Sequence, residues 1–87
     1  MELEIHLDLE EAGAADLVRI EHELQAWFAE NLAGSPRPLP TPHTFRVKLG
    51  QRDCITALMD LHRRLYHCKA KIFIQFLHEP TGCQHAT

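Results

Sequence analysis

The sequence predicts an α/β fold: one two-layer βαβαβ domain whose three-stranded, mostly parallel sheet carries both helices on one face. Three observations lead there. Two segments alternate apolar and polar residues with the period of a half-buried strand, and two others repeat their apolar residues at helical spacing. The segments succeed one another as strand, helix, strand, helix, strand, and helices between successive strands are the mark of crossover connections and parallel pairing. The third observation fixes the helices. A sheet covered on both faces needs continuously apolar strands, whereas the first two strands here are polar at every second residue, so one face is left open.

Residues 2 to 9 place Leu3, Ile5, Leu7 and Leu9 on one side and Glu2, Glu4, His6 and Asp8 on the other. Asp8, followed three residues later by Glu11, forms a capping-box pattern, so a helix is expected to start at once. Its apolar stripe runs Leu17, Ile20, Leu24, Trp27, Phe28 and Leu32, and Gly34 and Pro36 stop it. Prolines 36, 38, 40 and 42 then remove every second amide donor, which predicts an extended, polyproline-like spacer over residues 35 to 42.

A second alternating strand covers residues 43 to 49, with Phe45, Val47 and Leu49 inward and Thr44, Arg46 and Lys48 outward. Gly50 ends it, and residues 51 to 66 read as a helix with Cys54, Ile55, Leu58, Leu61 and Leu65 on one face. Residues 69 to 78 are rich in β-branched and aromatic residues. Ile72, Ile74 and Phe76 alternate with Lys71, Phe73, Gln75 and Leu77, and apolar content on both sides suggests the middle of the sheet.

A chain of 87 residues accommodates one core. We assign residues 1–79 to a single α/β domain and 80–87 to a flexible polar tail introduced by Pro80 and Gly82. No apolar run approaches the roughly 20 residues that cross a bilayer, and no basic leader follows Met1, so no membrane association is expected. Three cysteines at wide spacing do not suggest a disulfide framework, which points to a reducing, cytoplasmic setting.

The net charge of −3 conceals two opposed halves. Through Leu32 nine acidic residues stand against Arg19 alone, and from Arg37 to Lys71 eight basic residues stand against Asp53 and Asp60. Mutual neutralisation of the halves on folding is the simplest explanation; a partner that reads one sign is the sharper one.

The open face predicted for the sheet would carry Glu2, Glu4, Arg46, Lys48, Lys71, Phe73, Gln75 and Leu77. Cross-strand ion pairs account for the charged members, but Phe73 and Leu77 are an apolar pair on a polar surface, which is the composition of a docking site. The functional expectation is a small protein-interaction module, an accessory subunit or inhibitor, acting through this face and through the acidic helix. Its partner would be another protein or a second copy forming a homodimer. Exposed carboxylates of the first strand and helix would imitate a phosphate array toward a basic cleft.

Two alternatives are carried. Seven histidines and three cysteines invite a metal or thiol site, and parallel topology would bring Cys54, at the start of the second helix, toward His78, Cys83 and His85. No C-x-x-C or zinc-finger spacing supports it. Nucleic-acid binding would rest on the basic half with Phe73 as a stacking platform, against an overall pI near 6.1. No phosphate-cradling glycine loop or nucleophile elbow is present, so neither catalysis nor a cofactor is expected.

Overall fold

The structure, a computed structural model, describes residues 1–50 and 53–77. Six elements follow one another: β1 (Glu2–Asp8), α1 (Ala14–Asn31), β2 (Arg37–Pro38), β3 (Thr44–Lys48), α2 (Cys54–Leu65) and β4 (Lys71–Leu77). They build one four-stranded sheet in the order β2-β3-β1-β4, and every ladder in it is antiparallel. This overturns the three-stranded, mostly parallel sheet that the sequence suggests. The helices do join strands that run in the same direction, but each such pair is separated by a strand of the other. β3 lies between β1 and β2, and β1 lies between β3 and β4, so the two β-α-β units are split and interleaved. The last strand, expected in the middle, is an edge, and β1 holds the centre.

The missing strand is hidden in the proline segment. β2 pairs Arg37 with Arg46 and Pro38 with Phe45, and Leu39 N donates to Thr44 O at 2.9 Å. Residue 39 therefore directs its amide toward β3, and by alternation so does residue 37. Pro36, Pro38 and Pro40 fall at the positions whose amides would point away from the sheet. Proline spacing of two is thus compatible with an edge strand, because the donors it removes are ones the ladder does not use.

The first helix also starts later than Asp8. Asp8 Oδ1 accepts instead from Glu10 N at 3.1 Å, forming a local turn, and Ala12 N reaches Leu9 O. Gly13 is the N-cap of α1, and Asp16 Oδ2 accepts from its backbone N–H at 3.0 Å. This is the reciprocal half of a capping box, made without a side chain at the cap itself. α2 is capped by Asp53, whose carboxylate accepts from both Thr56 N and Thr56 Oγ1.

Both helices lie over the face formed by Leu3, Ile5 and Leu7 of β1, and a single cluster joins these to Ile20, Leu24 and Trp27 of α1 and Ala57, Leu61 and Leu65 of α2. Each fully buried aliphatic side chain of this kind stabilises the fold by about 1.5–3 kcal/mol. Trp27 is completely buried and donates its indole Nε1–H to Ala57 O at 2.8 Å, so the largest core side chain also satisfies its polar atom across the helix pair. Asn31 closes the far end of α1: its Nδ2 donates to Trp27 O and its own carbonyl accepts from Gly50 N at 2.8 Å. Cys68 completes the core below the end of α2, and burial pushes its thiol up, keeping it protonated.

Lys69, between α2 and β4, has φ 56, a left-handed conformation that a side chain disfavours. It is exposed, so its side chain is not needed there. Lys69→Gly is expected to stabilise the protein by about 0.5–1 kcal/mol. A thermal melt should show this as a midpoint raised by roughly 3–6 °C.

Candidate interaction surface

The register of the ladders decides which side chains share the uncovered face. Glu4 stands opposite Arg46 on one side and Gln75 on the other, and His6 stands between Thr44 and Phe73. Glu2 is flanked by Lys48 and Leu77, and Asp8 faces Lys71. Because residues directly opposite one another point the same way, Glu2, Glu4, Arg46, Lys48, Lys71, Phe73, Gln75 and Leu77 all fall on one side, away from the helices. Arg37 of β2 joins them beside Arg46. Sequence reasoning missed Arg37 because β2 itself was read as a spacer.

The face is banded. β2 and β3 contribute Arg37, Arg46 and Lys48; β1 contributes three carboxylates and one imidazole; β4 contributes Phe73, Gln75 and Leu77 after Lys71. Arg46 Nη2 meets Glu4 Oε2 at 3.6 Å. His6 Nδ1 lies 2.7 Å from Thr44 Oγ1, and that hydroxyl donates to Pro42 O. With the hydroxyl proton directed to Pro42 O, the Nδ1–H tautomer of His6 is the one that completes this chain of hydrogen bonds. Thr44 was read from the sequence only as an outward strand residue. Pairing of the register with His6 is what gives it a role.

Phe73 is 54% exposed, and its ring centroid sits 5.9 Å from that of His6 in a tilted arrangement. Glu4, His6, Phe73 and Gln75 border a shallow depression there. An exposed aromatic ring beside an imidazole and a carboxylate can pack an apolar side chain while polar neighbours set its orientation. Arg46 Nε is buried without a hydrogen-bond partner among the described residues.

The acidic helix is less available than its composition suggests. Arg64 of α2 reaches across to α1, where its Nη1 meets Glu23 Oε1 at 3.1 Å and its Nη2 meets Glu30, while its Nε bonds Asp60 Oδ2 at 2.9 Å. Asp60 also accepts from Arg63 at 2.6 Å. Two carboxylates of the acidic half are therefore spent on a guanidinium of the basic half. Glu21 of α1 and Glu10 and Glu11 before it stay exposed.

Among the described residues no three His, Cys, Asp or Glu side chains converge on a metal position. Cys54 is half-buried at the start of α2 and Cys54 and Cys68 are free thiols. The other three ligands considered with Cys54, namely His78, Cys83 and His85, lie outside the described residues, as does the tail over 80–87. No described helix is long and apolar enough to cross a membrane. No family model, curated protein or solved structure matches this chain.

The Arg64 hydrogen bond, followed by that of Arg63, holds the Asp60 carboxyl below its usual range against the opposing effect of burial. A depressed folded-state value means that this group stabilises the fold above about pH 4 and loses that contribution as pH falls through the depressed value. Asp60→Asn is expected to cost about 1–3 kcal/mol at pH 7. Its deficit against the parent in urea unfolding should shrink as the pH is lowered from about 4 toward 2.

Proposed function

We propose that this chain is a small cytosolic protein-interaction module, an accessory subunit or inhibitor, that receives another protein on the open face of its sheet. The observation that carries the reading is Phe73. A half-exposed aromatic ring is held against His6 on the edge strand, beside the charged rows of β1 and β3, where it gains little from its own fold. Interface cores favour aromatic anchors surrounded by polar groups that fix orientation, and the bands of basic, acidic and apolar residues supply that orientation in one direction.

The partner's complementary surface would place an apolar side chain over Phe73, with acceptors toward Arg37 and Lys48 and donors toward Glu2 and Asp8. The acidic helix plays the smaller part, since Glu23 and Glu30 are engaged by Arg64. Free thiols at Cys54 and Cys68 are in keeping with a reducing compartment. Nucleic-acid binding is disfavoured on electrostatic grounds. A phosphate backbone laid on this sheet would cross Glu2, Glu4 and Asp8 on the central strand, and Arg46 is already paired with Glu4.

A photo-crosslinking amino acid placed at Gln75 or Lys48, and separately at Ala29 on the outer side of α1, tests the face in cells. Gln75 and Lys48 should label one shared protein, Ala29 should not, and Phe73→Glu in the Lys48 variant should reduce labelling about tenfold or more. Equal labelling from Ala29, or indifference to Phe73→Glu, would remove the reading.

A further inference from the structure

The sheet has two edges of opposite character. At β2 the strand is two residues long, follows Pro36 and ends in Pro38, and the nitrogens of both prolines occupy the outward positions. At β4 the strand is seven residues long, holds no proline or glycine, and carries one charge, Lys71, at its first position. Natural edge strands are usually blunted by charges, prolines or bulges, and β4 is not.

The direction of its backbone groups follows from the central ladder. Leu7 N donates to His43 O and Leu49 N donates to Met1 O, so the odd-numbered residues of β1 bond toward β3. The even-numbered ones then bond toward β4, where their partners are Lys71, Phe73, Gln75 and Leu77. Ile72, Ile74 and Phe76 consequently turn their N–H and C=O groups outward, and no strand among the described residues pairs with them. Phe73 and Phe76 are 54% and 48% exposed along this edge. His62 of the adjoining α2 and Tyr66 at its C-cap border a groove with Ile72 and Phe73, and Tyr66 is 77% exposed.

We infer that a second copy of this chain adds to β4 in antiparallel register about a two-fold axis through Ile74. The strand is self-complementary in this register. With Ile74 opposite Ile74 of the second copy, Ile72 stands opposite its Phe76, and every outward-facing residue of both strands enters a hydrogen-bonded pair. A shift by two residues in either direction leaves one of the three without a partner inside the strand. The same register puts Phe73 opposite Gln75 of the second copy and Lys71 opposite its Leu77, so no like charges meet. On the helix side, Ile72 of the second copy covers the exposed part of Phe76.

The size of the contact sets its strength. Seven residues at about 3.3 Å span about 23 Å, and two layers about 10 Å thick each make a strip of roughly 450 Å² per copy. The total of roughly 900 Å² falls below the roughly 1,200 Å² of stable specific interfaces and within the range of weak, transient ones, so the pair is dissociable and its population grows toward the upper end of the accessible concentrations. The pairing uses the edge of the sheet and does not rest on the open-face reading.

Sedimentation velocity of the full chain between about 1 µM and 1 mM, with amide hydrogen exchange by NMR at both extremes, tests it. The mass should rise from 10.0 kDa to twice that value. Exchange at Ile72, Ile74 and Phe76 should slow about tenfold or more with association, while Phe73 and Gln75, already bonded to β1, change little. F73K/Q75K sets like charges opposite each other across the axis and should weaken the dimer about tenfold; F73E/Q75K sets opposite charges there and should restore it. Dispersed amide spectra at low concentration verify that both variants fold. A chain still monomeric at 1 mM, a dimer whose β4 amides exchange at the monomer rate, or F73E/Q75K no tighter than F73K/Q75K would each overturn the inference.

Discussion

Strand β1 is the constraint from which the rest of the molecule follows. It is bonded along both edges, to β3 and to β4, and its side chains alternate between complete burial at Leu3, Ile5 and Leu7 and an uncovered row of Glu2, Glu4, His6 and Asp8. A central strand with one dry and one wet side demands that all covering material lie on the dry side, and α1 and α2 meet that demand together. A slip of one residue in either ladder would turn the three core residues into solvent and four polar groups into the core. The register is therefore held by burial on one face and by the Glu4–Arg46 and His6–Thr44 pairs on the other.

The helix layer is tied by two contacts of different kind. Trp27 fills the space between α1 and α2 and anchors its indole on Ala57 O, while Arg64 gathers Asp60, Glu23 and Glu30 at the rim. The first is a dry contact whose hydrogen bond is needed because the indole is buried. The second is wetter and is sensitive to acid through Asp60. Between them they explain why an acidic first half and a basic second half coexist in one chain: part of that opposition is used up where the helices and central strands meet.

Much of this was legible in the residues. Period-two alternation located β1 and β3 within one residue at each end, and the alternation in residues 71 to 77 assigned each side chain of β4 to its side of the sheet. Local patterns, however, do not carry strand order. Alternation says that a strand has two faces and is silent about its neighbours, so helices between strands suggested parallel neighbours where the chain interleaves them. The polar outer row of β1 was the stronger cue, since antiparallel sheets tolerate a wet face far more readily than parallel ones. β2 escaped notice because proline is read as a breaker, although here it removes only the amides that face outward. The late start of α1 has a similar origin: Asp8 can cap a helix or close a turn, and its side chain was taken up by Glu10 N. Thr44 and Arg37 joined the candidate surface only once ladder register was known.

The prolines of β2 carry a consequence for how large an assembly of this chain can become. In the language of polymer chemistry a sheet with two receptive ends is a bifunctional monomer and grows without limit, whereas one with a single receptive end is monofunctional and stops after one coupling step. Pro36 and Pro38 strip the donors from one end of this sheet, so whatever joins at the other terminates the object rather than extending it. Two rings in a connector thereby separate a finite particle from a fibre.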